Sequence, residues 1–167
     1  ALVSDDRIIL VDAPGNPIVR FQQAGLDRDQ LTDLIVTHYH PDHVSGIPLM
    51  MMALGLTDRD NPLMIHGLNV SIDYLMKMLE LFQWNSWRKF LVTFQIIAEE
   101  EKAAVLETDD FIITSTPVQH FVPNIGLKFE SKTTGKSIVY SSDTAPVDSL
   151  VELAKDVDIL IHEAAGA

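Results

Sequence analysis

Leu34-Ile35-Val36-Thr37-His38-Tyr39-His40-Pro41-Asp42-His43 is the stretch on which the reading of this chain turns. Its first four residues form a short apolar run, the pattern of a strand buried on both faces. The next six set three histidines and an aspartate in an H-x-H-x-D-H pattern, which a chain of this composition produces by chance on the order of once in a thousand times. His38 and His40 leave the strand end on one side, because side chains of an extended chain alternate, so both reach one metal ion. Pro41 stops the strand and allows a turn, which places Asp42 and His43 at the start of a helix, aimed at a second ion beside the first. Imidazole and carboxylate ligands without sulfur suit Zn, Mn or Fe.

Upstream of this stretch, Arg7 to Asp12 reads as a buried strand ended by Pro14 and Gly15, and Ile18 to Ala24 as a short helix closed by Gly25. Downstream, Val44 to Leu56 reads as one largely buried helix and Leu63 to His66 as a strand. Val70 to Phe82 carries Ile72, Leu75, Met76 and Leu79 at the spacing of an amphipathic helix. Beyond Leu91 the pattern turns to strands: Leu91 to Ile97, Phe111 to Thr116, Ile125 to Glu130 and Ser137 to Tyr140. The last two are joined as a hairpin through Lys132-Thr133-Thr134-Gly135-Lys136. A helix from Val147 to Lys155 and a strand from Asp158 to His162 complete the pattern. With no repeat and no linker, residues 1–167 read as a single α/β domain with mixed sheets.

Composition narrows the chemistry. The 167 residues contain no cysteine, so a disulfide framework, a thiolate nucleophile and a cysteine-based zinc finger are excluded. Twelve Lys and Arg against 24 Asp and Glu give a charge of −12, which argues against a broad basic face for duplex DNA. No run approaches the ~18 apolar residues of a membrane span, and the first residues lack the order of a signal peptide, so the cytoplasm is the expected location. A start at Ala1 and a stop at Ala167, directly after an apolar strand pattern, read as a piece of a longer protein.

His38-Tyr39-His40-Pro41-Asp42-His43 resembles the signature of the metallo-β-lactamase superfamily. Pro117-Val118-Gln119-His120 with Gly126-Leu127, then Ser141-Ser142-Asp143-Thr144, then Ile161-His162-Glu163-Ala164 follow in the order of its ribonuclease Z-like branch. With Val11-Asp12 near the front, the resemblance covers nearly the whole chain. It implies a four-layer αββα sandwich with mixed sheets whose C-terminal part lies beyond this sequence. It also implies two divalent metal ions, Zn by preference. His38, His40 and His120 would hold the first, Asp42 and His43 the second, and Asp143 would bridge them. A further histidine of the family pattern would lie beyond Ala167.

The implied activity is metal-dependent phosphodiester hydrolysis. Asp42 would orient the attacking water and take its proton, His162 would protonate the leaving group, and Glu163 is placed to orient His162. Asp12 is a candidate support for the metal ligands, and His66 is assigned to structure. Lys128, Lys132 and Lys136 are the densest basic group and candidates for phosphate contact, although such lysines more often form a solvated hairpin. The branch's transfer-RNA enzymes commonly carry a long flexible arm where this sequence has the short 132–136 turn. A small cyclic phosphodiester or an RNA end is therefore expected in place of transfer RNA. The rival readings are a lactone or thioester hydrolase of the same fold and a non-catalytic metal-binding module. Trp84-Asn85-Ser86-Trp87, with Phe82 and Phe90, would be the module's contact surface, or a homodimer interface in the enzyme.

Overall fold

The computed structural model describes residues 1–57 and 59–164. Asp58 and residues 165–167, included in the expected single domain, lie outside the described residues. The chain divides into two compact units, Ala1–Ile96 and Ile97–Ala167.

The first unit is built on a five-stranded sheet in sequence order, β1 (Leu2–Val3), β2 (Ile8–Val11), β3 (Leu31–Val36), β4 (Leu63–Leu68) and β5 (Val92–Ile97). β1 and β2 are antiparallel, whereas β2, β3 and β4 run parallel. Parallel neighbours need crossover connections, and helices α1 (Pro17–Gln23), α2 (Pro41–Val44) and α3 (Ile47–Gly55) supply them; α4 (Asn69–Leu81) follows β4. Leu34, Ile35 and Val36 are completely buried, as expected for a central strand covered on both faces. Ile8, Leu34, Val36 and Ile65 pack in one cluster with Ile47, Met50, Met51 and Leu54 of α3 and Ile72, Leu75 and Leu79 of α4. Each such buried aliphatic side chain contributes about 1.5–3 kcal/mol. Met76, also expected on the buried face of α4, lies at its exposed margin.

The single helix expected over Val44 to Leu56 is instead two, α2 and α3, separated at Ser45-Gly46. The break has a local cause. The Gly46 N–H donates to the Ala13 carbonyl at 2.8 Å, and a β-carbon at Gly46 would lie 2.5 Å from that oxygen. The chain therefore leaves α2 to meet the loop after β2, and Pro48 sits in the first turn of α3, where its missing N–H costs nothing.

The second unit carries a five-stranded sheet in the order β10-β9-β8-β7-β6: β6 (Ala103–Glu107), β7 (Phe111–Val118), β8 (Asn124–Ser131), β9 (Ser137–Tyr140) and β10 (Ile159–Ile161). β6 to β9 are an antiparallel meander, and β10 pairs parallel to β9 after the crossover helix α5 (Asp148–Leu153). Gly135 takes the left-handed conformation, φ +67°, that closes the expected β8–β9 hairpin. Val139, Leu150 and Leu153 form the cluster between sheet and helix. β6 has no counterpart in the sequence reading, because Ala103-Ala104-Val105-Leu106 has weak strand propensity and follows three glutamates. Its pairing with β7 makes it a strand. Ile159, Leu160 and Ile161 of β10 are about half exposed. Both units thus hold mixed α/β structure with one mixed sheet each.

Candidate metal centre

The ligand-type residues of the first unit are assembled by the carboxylate of Asp12. Buried just past β2, Asp12 adopts φ +51°, a conformation that Asp tolerates better than most residues. Its Oδ1 accepts the Thr37 N–H at 2.9 Å, and its Oδ2 accepts the Thr37 hydroxyl and His43 Nδ1, each at 2.8 Å. The Thr37 hydroxyl, having given its proton to Asp12, lies 3.2 Å from His38 Nδ1 and is an acceptor toward it. This chain of donors fixes both tautomers. His38 and His43 carry the proton on Nδ1, and Nε2 holds the lone pair that a metal needs. Carboxylate support of a ligand imidazole is the usual way in which proteins set ring orientation and basicity.

The loop is pinned from a second side. The Ala13 N–H donates to the His43 carbonyl at 2.7 Å, and the Gly46 N–H returns a bond to the Ala13 carbonyl. As the sequence predicts, Pro41 opens α2, with Asp42 and His43 in its single turn. His38 Nε2 and His40 Nδ1 face one another at 3.2 Å, and the His38 and His43 ring centroids are 4.1 Å apart. Asp42 is largely exposed, its Oδ2 3.9 Å from His43 Nε2. Ring nitrogens with lone pairs converging beside a solvent-facing carboxylate fit a divalent cation.

His66 is separate from this group and structural. Its Nε2 donates to Asp33 Oδ1 at 2.9 Å, and Asp33 Oδ2 also accepts Arg7 Nη1 at 2.8 Å and the Thr32 hydroxyl at 2.7 Å. Burial raises the Asp33 carboxyl pKa, but the His66 and Thr32 hydrogen bonds and the Arg7 charge together outweigh it and hold the group below its ordinary value.

In the second unit, His120 follows β7 and Asp143 follows β9, and both line one cleft of about 680 Å³ with Thr144 and Glu163. Their loops are stitched together. Gln119 and Ala145 form an isolated bridge, with the Ala145 N–H donating to the Gln119 carbonyl at 2.8 Å, while the Gln119 N–H donates to the Thr144 hydroxyl at 3.2 Å. Ser142 takes φ +53°, and the Asn124 side-chain amide donates to the Asp143 carbonyl at 2.7 Å. The Ser142 hydroxyl donates back to Asn124 Oδ1. Asn124 was not anticipated; its place at the start of β8, two residues before Gly126, was the available signal.

Glu163 meets His162 through its backbone carbonyl and uses its carboxylate elsewhere. Its Oε1 accepts the Thr144 N–H at 2.5 Å, and its own N–H donates to the Ser141 hydroxyl, so it braces the turn that carries Asp143. His162 is exposed, and its Nδ1 donates to the Glu163 carbonyl at 2.8 Å. Lys128, Lys132 and Lys136 pair with Glu130, Glu107 and Asp158 at the surface. The Trp84–Trp87 surface is divided: Phe82, Asn85 and Ser86 are exposed and Trp87 is half-buried. Trp84 is buried, Phe90 is buried, and Trp87 Nε1 donates to the Phe82 carbonyl. Among the described residues no helix is long and apolar enough to cross a membrane.

Comparison with known proteins agrees with this fold. The short form of human tRNase Z superposes with a TM-score of 0.79 at 21% identity, over 98% of this chain and 69% of that one. YhfI of Bacillus subtilis, a metallo-beta-lactamase fold protein, gives 0.71 at 22% identity, over 95% and 59%. Ribonuclease Z of Methanothermobacter thermautotrophicus is 26% identical over 98% of this chain and 66% of its own length, and that of Pyrococcus furiosus is 23% identical over 94% and 65%. The chain thus spans about two thirds of the length of these relatives. The family model of the beta-lactamase superfamily domain matches residues 7–167, and the chain belongs to that family.

Proposed function

We propose that this chain carries a dinuclear metal centre that hydrolyses phosphodiesters. His38, His40 and His120 would hold one divalent ion, Asp42 and His43 would hold the second, and Asp143 would serve as a ligand to both. The observation that carries this is the Asp12–Thr37 hydrogen-bond chain, which holds His38 and His43 in the metal-binding tautomer. Two such ions, when bound, supply Lewis-acid stabilisation of phosphoryl charge and lower the pKa of a water. Zn fits the ligand set, as do Mn and Fe.

In this reading Asp42, exposed at the start of α2, orients the attacking water and takes its proton. His162, anchored through Nδ1 to the Glu163 carbonyl, delivers a proton from Nε2 to the departing oxygen. Glu163 and Asn124 keep the Asp143 turn in one conformation throughout. The relatives named Ribonuclease Z support a phosphodiester of RNA as the substrate class. The alignment to the Methanothermobacter relative runs over 213 residues, more than this whole chain, so that relative carries insertions within the matched region. With only five residues between β8 and β9, a small cyclic phosphodiester or an RNA end fits better than a folded transfer RNA.

The test compares turnover of bis(p-nitrophenyl) phosphate and a simple lactone by the full-length protein, with Zn or Mn added. Phosphodiester cleavage that falls by about 10²-fold or more in His162→Ala supports the reading. Cleavage of the lactone alone, unaffected by that substitution, overturns it, and a single ion per chain by metal analysis removes the dinuclear part.

A further inference from the structure

Phe121 is 97% exposed, the most exposed large apolar side chain among the described residues, while Phe129 of the same unit is buried at 8%. It is not on a loose tail. Gln119, two residues before it, is fixed by the bridge to Ala145, and Asn124, three residues after it, is fixed by its bonds to Asp143 and Ser142. Within that frame the Phe121 ring sits edge to face with His120, centroids 5.5 Å apart at 62°, so its faces are presented to solvent at the lip of the cleft. Single exposed apolar residues are common; what sets this ring apart is its place, lining the cleft in contact with His120 and held there from both sides, where it meets whatever occupies the cleft.

The chemistry of the cleft selects the ligand. Among the described residues its lining includes Asp143 and Glu163 but neither Lys nor Arg, which favours uncharged contacts for the part of the substrate beyond the phosphate. The cleft volume, about 680 Å³, is that of a small-molecule site. A single rigid aromatic ring beside a phosphate-binding ligand suits a planar partner one sugar away from that phosphate, and nucleic-acid bases stack on aromatic side chains in this manner whatever their sequence. We propose that Phe121 is the platform on which the base of a nucleoside phosphodiester stacks. This rests on the phosphodiesterase reading above and adds to it a specificity-determining residue.

Two measurements test it on the full-length, metal-supplemented protein. In the first, a diribonucleotide and its analogue lacking the bases are hydrolysed by the wild type, Phe121→Ala and Phe121→Trp. Base stacking of this kind is worth about 5- to 150-fold. Phe121→Ala is therefore expected to raise KM for the diribonucleotide about tenfold or more and to leave the base-free analogue unchanged, with Phe121→Trp restoring the difference. In the second, calorimetry compares adenosine monophosphate with ribose 5-phosphate. Phe121→Ala should weaken the first about tenfold and the second not at all. If the wild type cleaves both diesters and Phe121→Ala changes neither KM, the stacking role is overturned and the phosphodiesterase stands. If the wild type cleaves neither diester, the phosphodiesterase reading falls and the inference with it. Equal binding of the two phosphates by the wild type overturns the base platform alone.

Discussion

Replacing Asp12 by Asn tests the centre at the point where fold and chemistry meet. The carboxylate is buried and receives three donors, the Thr37 N–H, the Thr37 hydroxyl and His43 Nδ1–H. An Asn side chain offers one oxygen and one NH2. Whichever way the amide turns, its NH2 confronts either the Thr37 N–H or the two donors at the Oδ2 position, so at least one buried donor is left without an acceptor. A hydrogen bond to a charged group contributes ~1.5–3 kcal/mol and an unsatisfied buried donor costs ~1–3 kcal/mol. Because the charge's own burial cost is relieved at the same time, the net loss should be about 2–4 kcal/mol. The φ of +51° adds nothing to it, since Asn accepts the left-handed conformation as readily as Asp; Asp12→Ala should be worse by the strain of that backbone. Loss of the His43 acceptor should also lower metal affinity about 10- to 100-fold. Urea unfolding of the metal-free protein, followed by circular dichroism, should show a lower midpoint at unchanged slope, and a chelator competition should show the weaker metal. An Asp12→Asn protein with the wild-type midpoint and wild-type metal affinity would refute the claim that this carboxylate organises the ligands.

Gly46→Ala places a β-carbon 2.5–2.7 Å from the Ala13 and Gly15 carbonyls and Pro17 Cδ, two of them backbone atoms, and is expected to destabilise by about 1–3 kcal/mol in the same urea assay. The Asp33 carboxyl is held below its ordinary value of 3.8, so its contribution is fully present above that pH and disappears as pH falls through the lower, folded-state value. The gap in urea midpoint between wild type and Asp33→Asn should therefore be constant near neutrality and close below about pH 4; a gap independent of pH would contradict the assignment. Glu163→Ala removes the acceptor of the Thr144 N–H, and hydrogen exchange at that amide should accelerate while exchange in the core of α4 stays unchanged.

How much of this was legible in the sequence depended on whether a residue acts locally. β3 into His38, the Pro41 helix start and the Gly135 hairpin are decided within a few residues by alternation, proline and glycine, and all appear as read. What escaped was decided across the chain. The break at Gly46 comes from the Ala13 carbonyl 33 positions away in sequence, β6 exists because β7 lies beside it, and the Glu163 carboxylate reaches Thr144 while its carbonyl holds His162. Asp12 was legible only as an aspartate at a strand end; that it receives Thr37 and His43 is a property of the β2–β3 pairing and the fold of the following loop.

The same long-range contacts decide where positive charge is available to a substrate. Arg7 is committed to Asp33, the buried Arg59 to the carbonyls of Arg28, Asp29, Leu31 and Pro62, and Lys128, Lys132 and Lys136 each to a carboxylate. These are five of the twelve cations, and against 24 Asp and Glu the other seven leave the surface as a whole unattractive to phosphate. Every phosphate of a single strand neutralised by Lys or Arg adds ~0.7 to the magnitude of the slope of log affinity against log salt. If the proposed metals and Phe121 carry recognition, the slope for a short RNA substrate should be about 1 or smaller in magnitude, and Lys132→Ala should not alter it. A slope of about 3 or more would mean that a basic track guides the nucleic acid, and that recognition is spread along a surface in place of one cleft.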